Sequence, residues 1–274
     1  MLFRSVGGST TDQRYIDNNN TWDQVLRDKL KNVGKDVVIV NAGVDGQSTF
    51  GHIKNLDIWF PKIKGLRPKY ILYYVGINDF YKEANNVYDT MVLDKGLKQM
   101  IKSSFVYYLA RTVKSNFKAR FRKINHGAIK FNAMEVTHKP LNDPSHYSNI
   151  MKARLAAYQK RLEVLIYKTR EMGAEPIFVT QPRMVAWTQD GVFVGIKNEF
   201  PYDDIVYNGL DLFFMNKVLN QTTIQIAKQY QCDYIDLESE LVFEFKDFYD
   251  FVHHTPSGSY KIGHYLFNKL KDIF

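Results

Sequence analysis

Near its start the chain reads "FRSVGGSTTDQ", residues 3–13: an apolar run, two glycines, then Ser9 and two threonines. A glycine turn before a hydroxyl admits two chemistries. Its backbone N–H groups can cradle a phosphate, or the bend can present Ser9 as a nucleophile. Phosphate binding needs more than the glycines. A P-loop requires Lys and Ser/Thr after its second glycine, and a dinucleotide fingerprint requires G-x-G-x-x-G; "GGSTTD" meets neither. The elbow G-x-S-x-G fails as well, because Thr11 stands where its last glycine belongs.

A nucleophilic serine needs a base, and a carboxylate to orient that base. Far along the chain, "YDFVHHTPSG" sets Asp250 three residues before His253. In a loop, that offset lets the carboxylate meet one ring nitrogen while the other faces Ser9. D-x-x-H alone is common on protein surfaces, but two further stretches add to it. "VNAGVDGQST" (40–49) follows an apolar run with two glycines, and "YVGINDF" (74–80) closes another with Gly-Ile-Asn-Asp. Acyl transfer needs donors aimed at a developing oxyanion; the Ser9 N–H, the Gly46 N–H and the Asn78 amide would serve. Plainer roles exist for each residue: Ser9 suits a helix N-cap, Asn78 a turn, Gly43 a backbone bend, and Asp79 a turn or helix start.

The elements that must position these residues are readable as alternating patterns. Short apolar runs at Leu2–Val6, Asp36–Val40, Lys69–Val75, Glu175–Thr180 and Cys232–Ile235 read as parallel strands covered on both faces. Helical spacing appears in Trp22, Val25, Leu26, Leu30 and Val33, in 150–172 before Gly173, in 210–230 and in 258–274. The alternation predicts an open, doubly wound α/β sheet. Ser9, Gly46 and Asn78 then follow the carboxyl ends of strands one, two and three, where such sheets bind ligands. About seventy residues, 80–149, intervene before the next long helix. Within them "KSSFVYYLARTVKSNFKARFRK" reads as a basic amphipathic helix and 126–148 as an irregular connection. An insertion there would form a lid or a substrate wall.

The blocks "GGSTT", "NAGVDGQS", "GIND" and "DFVH" occur in one order across almost the whole chain. On these residues the sequence resembles the SGNH hydrolase family, also called GDSL esterases and lipases. The resemblance implies a three-layer α/β/α sandwich with a flavodoxin-like parallel sheet of about five strands, as a single domain over 1–274. It implies Ser9 as nucleophile, His253 as base and Asp250 as its orienting carboxylate, with the Ser9 N–H, Gly46 and Asn78 as the oxyanion hole. It selects Gly46 over Gly43, by its place after "NAxxx". Two residues depart from or complicate the pattern: Gly8 stands where the family name has Asp, and His254 follows His253. "TQP" at 180–182 resembles relatives that share "GGSTT". The implied activity is serine-based ester hydrolysis through an acyl-serine. An O-acetyl ester of a carbohydrate or cell-envelope polymer is the first substrate expectation, a lipase or lysophospholipase the second. A non-catalytic carbohydrate- or membrane-binding module on the same fold is the rival. Tyr81, Arg183 and Trp187 follow strand ends and are candidate substrate contacts, with structural roles equally open.

Composition bounds the rest. Apolar residues make up 45% and charged residues 24%, as in an ordinary globular protein, and no apolar run reaches the ~20 residues of a membrane-spanning helix. Cys232 is the only cysteine, which excludes an intrachain disulfide and a cysteine-based zinc site. Histidines and carboxylates show no ligand spacing, so no metal and no cofactor is expected. The net charge of +8 is local. Lys102, Arg111, Lys114, Lys118, Arg120, Arg122, Lys123 and Lys130 supply it, with no acidic residue between them. General nucleic-acid binding is therefore not expected; segment 102–130 is a solvated helix face or a contact for an anionic surface. The expected partner is a small-molecule or polysaccharide ester. Met1 lies directly before an apparent strand. A trimmed N-terminus would place the protein at a bacterial cell envelope or outside the cell, an untrimmed one in the cytoplasm.

Overall fold

The structure is a computed structural model that describes residues 2–80, 82, 89, 129–202 and 205–273. Its principal elements are β1 (Leu2–Gly7), α1 (Ser9–Asp12), α2 (Trp22–Asn32), β2 (Val38–Asn41), α3 (Thr49–Ile58), β3 (Tyr70–Tyr74), β4 (Val136–Thr137), α4 (Lys152–Glu171), β5 (Glu175–Val179), β6 (Ala186–Gln189), β7 (Val192–Ile196), β8 (Phe200–Tyr202), β9 (Ile205–Tyr207), α5 (Gly209–Gln229), β10 (Asp233–Ile235) and α6 (Pro256–Leu270).

Five strands form one sheet in the order β2-β1-β3-β5-β10, every pair parallel. Counted along the chain within this sheet the order is 2-1-3-4-5, the flavodoxin-like arrangement. Successive side chains of a strand point to opposite faces, and both faces are covered. On β3, Ile71 and Tyr73 join a core with Leu56 of α3, Leu162 of α4 and Leu219 of α5. Leu72 and Tyr74 join another with Leu26 and Leu30 of α2 and Ile262 and Leu266 of α6. These leucines and isoleucines are almost wholly buried, and each contributes roughly 1.5–3 kcal/mol by leaving water. The layers are therefore α2 and α6, the sheet, and α3, α4 and α5. Gly7 pairs with Tyr74, so β1 and β3 end level, while β2 ends two residues earlier at Asn41, opposite Ser5.

All five strands lie within two residues of the apolar runs that predicted them. Features not anticipated include α3, the two-stranded β8–β9 hairpin, and an antiparallel ribbon, β4-β7-β6, built on the hairpin of Ala186–Gln189 and Val192–Ile196. Its two-residue turn, Asp190-Gly191, has φ of +49° and +79°, and an Asp-Gly pair between apolar runs is a hairpin signal that could have found it. The basic helix expected at 102–123, and most of the 80–149 insertion, lie outside the described residues. From Ile129 to Ser148 the chain is irregular as expected, with short turns and the two-residue strand β4.

Candidate active site

Ser9 is the first residue of α1, directly after β1. Four residues do not make a stable helix by themselves, so α1 depends on its surroundings. The indole Nε1 of buried Trp22 donates to the Thr10 carbonyl (3.1 Å). Gln13, left-handed at φ +47°, accepts from the Trp22 N–H (2.8 Å) and donates to Ser259 Oγ on α6. The serine is thus fastened to two helices of one layer.

Across from it, His253 Nε2 lies 2.6 Å from Ser9 Oγ, and His253 Nδ1 lies 2.7 Å from Asp250 Oδ2. The other oxygen of Asp250 accepts the N–H groups of Val252 (2.9 Å) and His253 (2.8 Å). Burial alone would push this carboxyl up, but the His253 and backbone hydrogen bonds outweigh it and hold Asp250 below the usual carboxylate range. The loop itself is pinned. Buried Asp247 accepts from Lys261 Nζ (2.6 Å) and Ser257 Oγ (2.7 Å), and its carbonyl accepts the Thr255 N–H. The Tyr249 ring stacks on the His253 imidazole at 5.4 Å. Burial, with Asp250, Tyr15 and Asp45 nearby, pushes that tyrosine hydroxyl up to about 12. Of the two adjacent histidines only His253 reaches Ser9. His254 is buried between Phe243 and Phe248, 3.3 Å from the Tyr74 hydroxyl, and burial pushes it down to about 3.

The second and third blocks meet the first. Gly46 stands in a turn at φ +71°, and neither its N–H nor that of Ser9 has a hydrogen-bond partner among the described residues. The Gly43 N–H, by contrast, is taken by Asn41 Oδ1 (2.8 Å). Asn78 lies in the turn Ile77–Asp79 and donates from Nδ2 to the Gln47 carbonyl (2.9 Å), one residue beyond Gly46. It also packs on Gly8: a Cβ there would come within 2.0 Å of Asn78 Nδ2. That close approach gives the physical reason for glycine at position 8 in this chain. The free N–H groups of Ser9 and Gly46 and the second Nδ2 hydrogen of Asn78 therefore come from segments that touch one another.

Asp79 is a support. Fully buried, it accepts from the Thr49 N–H and hydroxyl at the start of α3 and from Arg161 Nη2 of α4 (3.0 Å). Burial pushes its carboxyl up, against the opposing pull of Arg161 and Thr49. Asp89 accepts from the adjoining Ser48 N–H (2.9 Å). Buried Gln181, in the "TQP" stretch, accepts from the Ile77 N–H and donates to Thr10 Oγ1, both at 2.8 Å. Sequence reasoning singled out that motif without giving it a role.

Of the candidate substrate contacts, Tyr81 lies outside the described residues. The Arg183 guanidinium sits 4.2 Å over the Phe80 ring and donates to the Ile77 carbonyl (3.5 Å). Trp187 on β6 lines a cleft of about 490 Å³, together with Arg183, Phe193, Phe213, Glu238 and Phe245. Ser9 and His253 are not part of its lining, but the cleft wall runs into their loops: Met184 donates its N–H to the Phe251 carbonyl, and Phe248 packs on His254.

No family model matches the chain, and no curated protein is similar to it in sequence. Solved structures are similar over its full length. The native M. smegmatis aryl esterase is 12% identical, covering 100% of this chain and 99% of its own, at a TM-score of 0.55. The acetyl xylan esterase AlAXEase is 13% identical, covering 98% and 100%, also at 0.55. A member of the lipolytic protein G-D-S-L family from Veillonella parvula is 15% identical, covering 100% and 98%, at 0.50. The sheet order and these likenesses together identify the fold of this chain as that of the SGNH hydrolases.

Proposed function

We propose that the protein hydrolyses carboxylic esters through an acyl-serine intermediate. The observation that carries this reading is the unbroken line from Ser9 Oγ through the His253 ring to Asp250. His253 Nε2 takes the Ser9 proton as Oγ attacks the ester carbonyl. The resulting oxyanion accepts from the Ser9 N–H, the Gly46 N–H and the Asn78 amide. His253 then gives its proton to the leaving alcohol. Water, losing its proton to His253, releases the acid and restores the serine. Asp250 holds the Nδ1–H tautomer and offsets the imidazolium charge.

The alcohol in this reading is a carbohydrate and the acyl group is short. Aromatic rings of Trp187 and Phe245 beside the Glu238 carboxylate support it, since CH-rich sugar faces stack on rings while hydroxyls bond carboxylates. A structural neighbour described as an acetyl xylan esterase agrees with it. The test is nitrophenol release from p-nitrophenyl acetate and p-nitrophenyl octanoate by the wild type and by Ser9→Ala, both confirmed folded. Acetate is expected to be the faster ester, and Ser9→Ala to lose at least ~10³-fold. Equal rates in the two proteins would remove the acyl-serine, and faster octanoate cleavage would remove the short-acyl preference.

A further inference from the structure

Gln181 is 3% exposed, and both ends of its side-chain amide are engaged. Oε1 accepts the Ile77 N–H, one residue before Asn78, and Nε2 donates to Thr10 Oγ1, one residue after Ser9. One amide therefore spans the loops that carry the serine and the asparagine. Its own main chain is fixed by α5. Asn220 Oδ1 accepts the Gln181 N–H (3.2 Å), while Asn216 and Asn220 both donate to the Gln181 carbonyl (2.8 and 3.0 Å). Two residues on, Arg183 donates to the Ile77 carbonyl. The segment after β5 thus grips Ile77 at its N–H and at its C=O. Arg183, a candidate substrate contact by sequence, belongs to this grip.

We propose that Gln181 is a positioning residue for ester hydrolysis, setting the distance between the Ser9 nucleophile and the Asn78 oxyanion donor; this rests on the roles proposed above for those two residues. The rate of acyl transfer is steep in that distance. A misplacement of about 1 Å costs on the order of 10²-fold, and loss of one oxyanion donor costs roughly 10²–10³-fold. A glutamine that only filled space would be replaceable by any side chain of its volume. A glutamine that positions needs its acceptor and its partner hydroxyl.

Two variants separate these roles. Gln181→Met keeps the volume and removes both hydrogen bonds. Gln181→Glu keeps an acceptor for the Ile77 N–H, and the Thr10 hydroxyl can turn to donate to it. With p-nitrophenyl acetate, Gln181→Met should unfold cooperatively yet lose about 30–100-fold in kcat, with KM within about threefold. Gln181→Glu should recover kcat to within about tenfold of wild type. The Asn78 side-chain NH2 resonances, read by NMR without any turnover, should move in Gln181→Met and return in Gln181→Glu. Wild-type kcat with unmoved Asn78 resonances in the folded Met variant would overturn the proposal. So would failure of the folded Glu variant to restore either signal. If turnover survives Ser9→Ala, the acyl-serine reading and the catalytic part of this proposal both fail. Asn78 resonances that still respond would then leave Gln181 a purely structural strut.

Discussion

At the scale of single residues, the site is set by atoms that leave no room for alternatives. Gly8 is the clearest case, since the Asn78 amide occupies the space of its missing side chain. Gly8→Ala should displace Asn78 from its hydrogen bond to Gln47 and lower kcat by about 10–100-fold, while the melting temperature changes little because nothing in the core moves. Paired measurement of kcat and Tm checks this; a large Tm loss with unchanged kcat would contradict it. Much of this scale was legible beforehand. Ser9, Asp250 and His253 announce themselves by residue type, and the three-residue offset of the last two fits the loop that holds them. The D-x-x-H spacing selects His253 over His254, and the fold adds the physical reason that His254 is wedged between two phenylalanines. Gln181 was not legible either, because its partners lie 104 and 171 residues away.

Among the elements, β1, β2 and β3 were readable because parallel strands buried on both faces are continuous short apolar runs. Helix α3 was not, and the reason is where its cap comes from. The first N–H groups of a helix need acceptors. Here Asp79 and Asp89 provide them from distant positions, while Ser48 makes no side-chain cap of its own. The Asp79–Arg161 pair also ties the turn after β3 to α4 in the interior, both partners nearly inaccessible. Arg161→Met would strand a buried carboxylate, and urea denaturation should show a loss of about 3–5 kcal/mol. Asp79→Asn, which leaves one acceptor oxygen for Thr49 and strands the buried Arg161 charge, should cost a similar amount. Equal, small losses in both variants would mean that the pair carries no such weight.

For the molecule as a whole, two histidines held neutral by burial should cost stability in acid, against the opposing contribution of buried Asp23 and Asp79, whose carboxyls burial pushes up. Burial pushes both His52 and His254 down to about 3, while an unfolded histidine titrates near 6.5. Between those values the unfolded chain binds more protons, so stability falls as pH falls, by about 1.4 kcal/mol per pH unit for each histidine. Asp250 adds a loss further down: its stabilisation is present above the unfolded carboxylate value and disappears as pH drops through its depressed one. Thermal melts from pH 7 to 4 should therefore steepen below ~6.5. His52→Leu should flatten part of that slope, since neither His52 ring nitrogen has a hydrogen-bond partner among the described residues. A slope unchanged by that substitution would exclude His52 as a contributor. The same long-range geometry governs how the protein comes into being. Ser9 and His253 are separated by 244 residues, so the proposed nucleophile meets its proposed base only after the chain between them has been made and folded. A chain truncated anywhere before residue 253 would carry the proposed nucleophile without its proton acceptor, so partial products of synthesis or proteolysis should be inert toward esters however well their sheet folds.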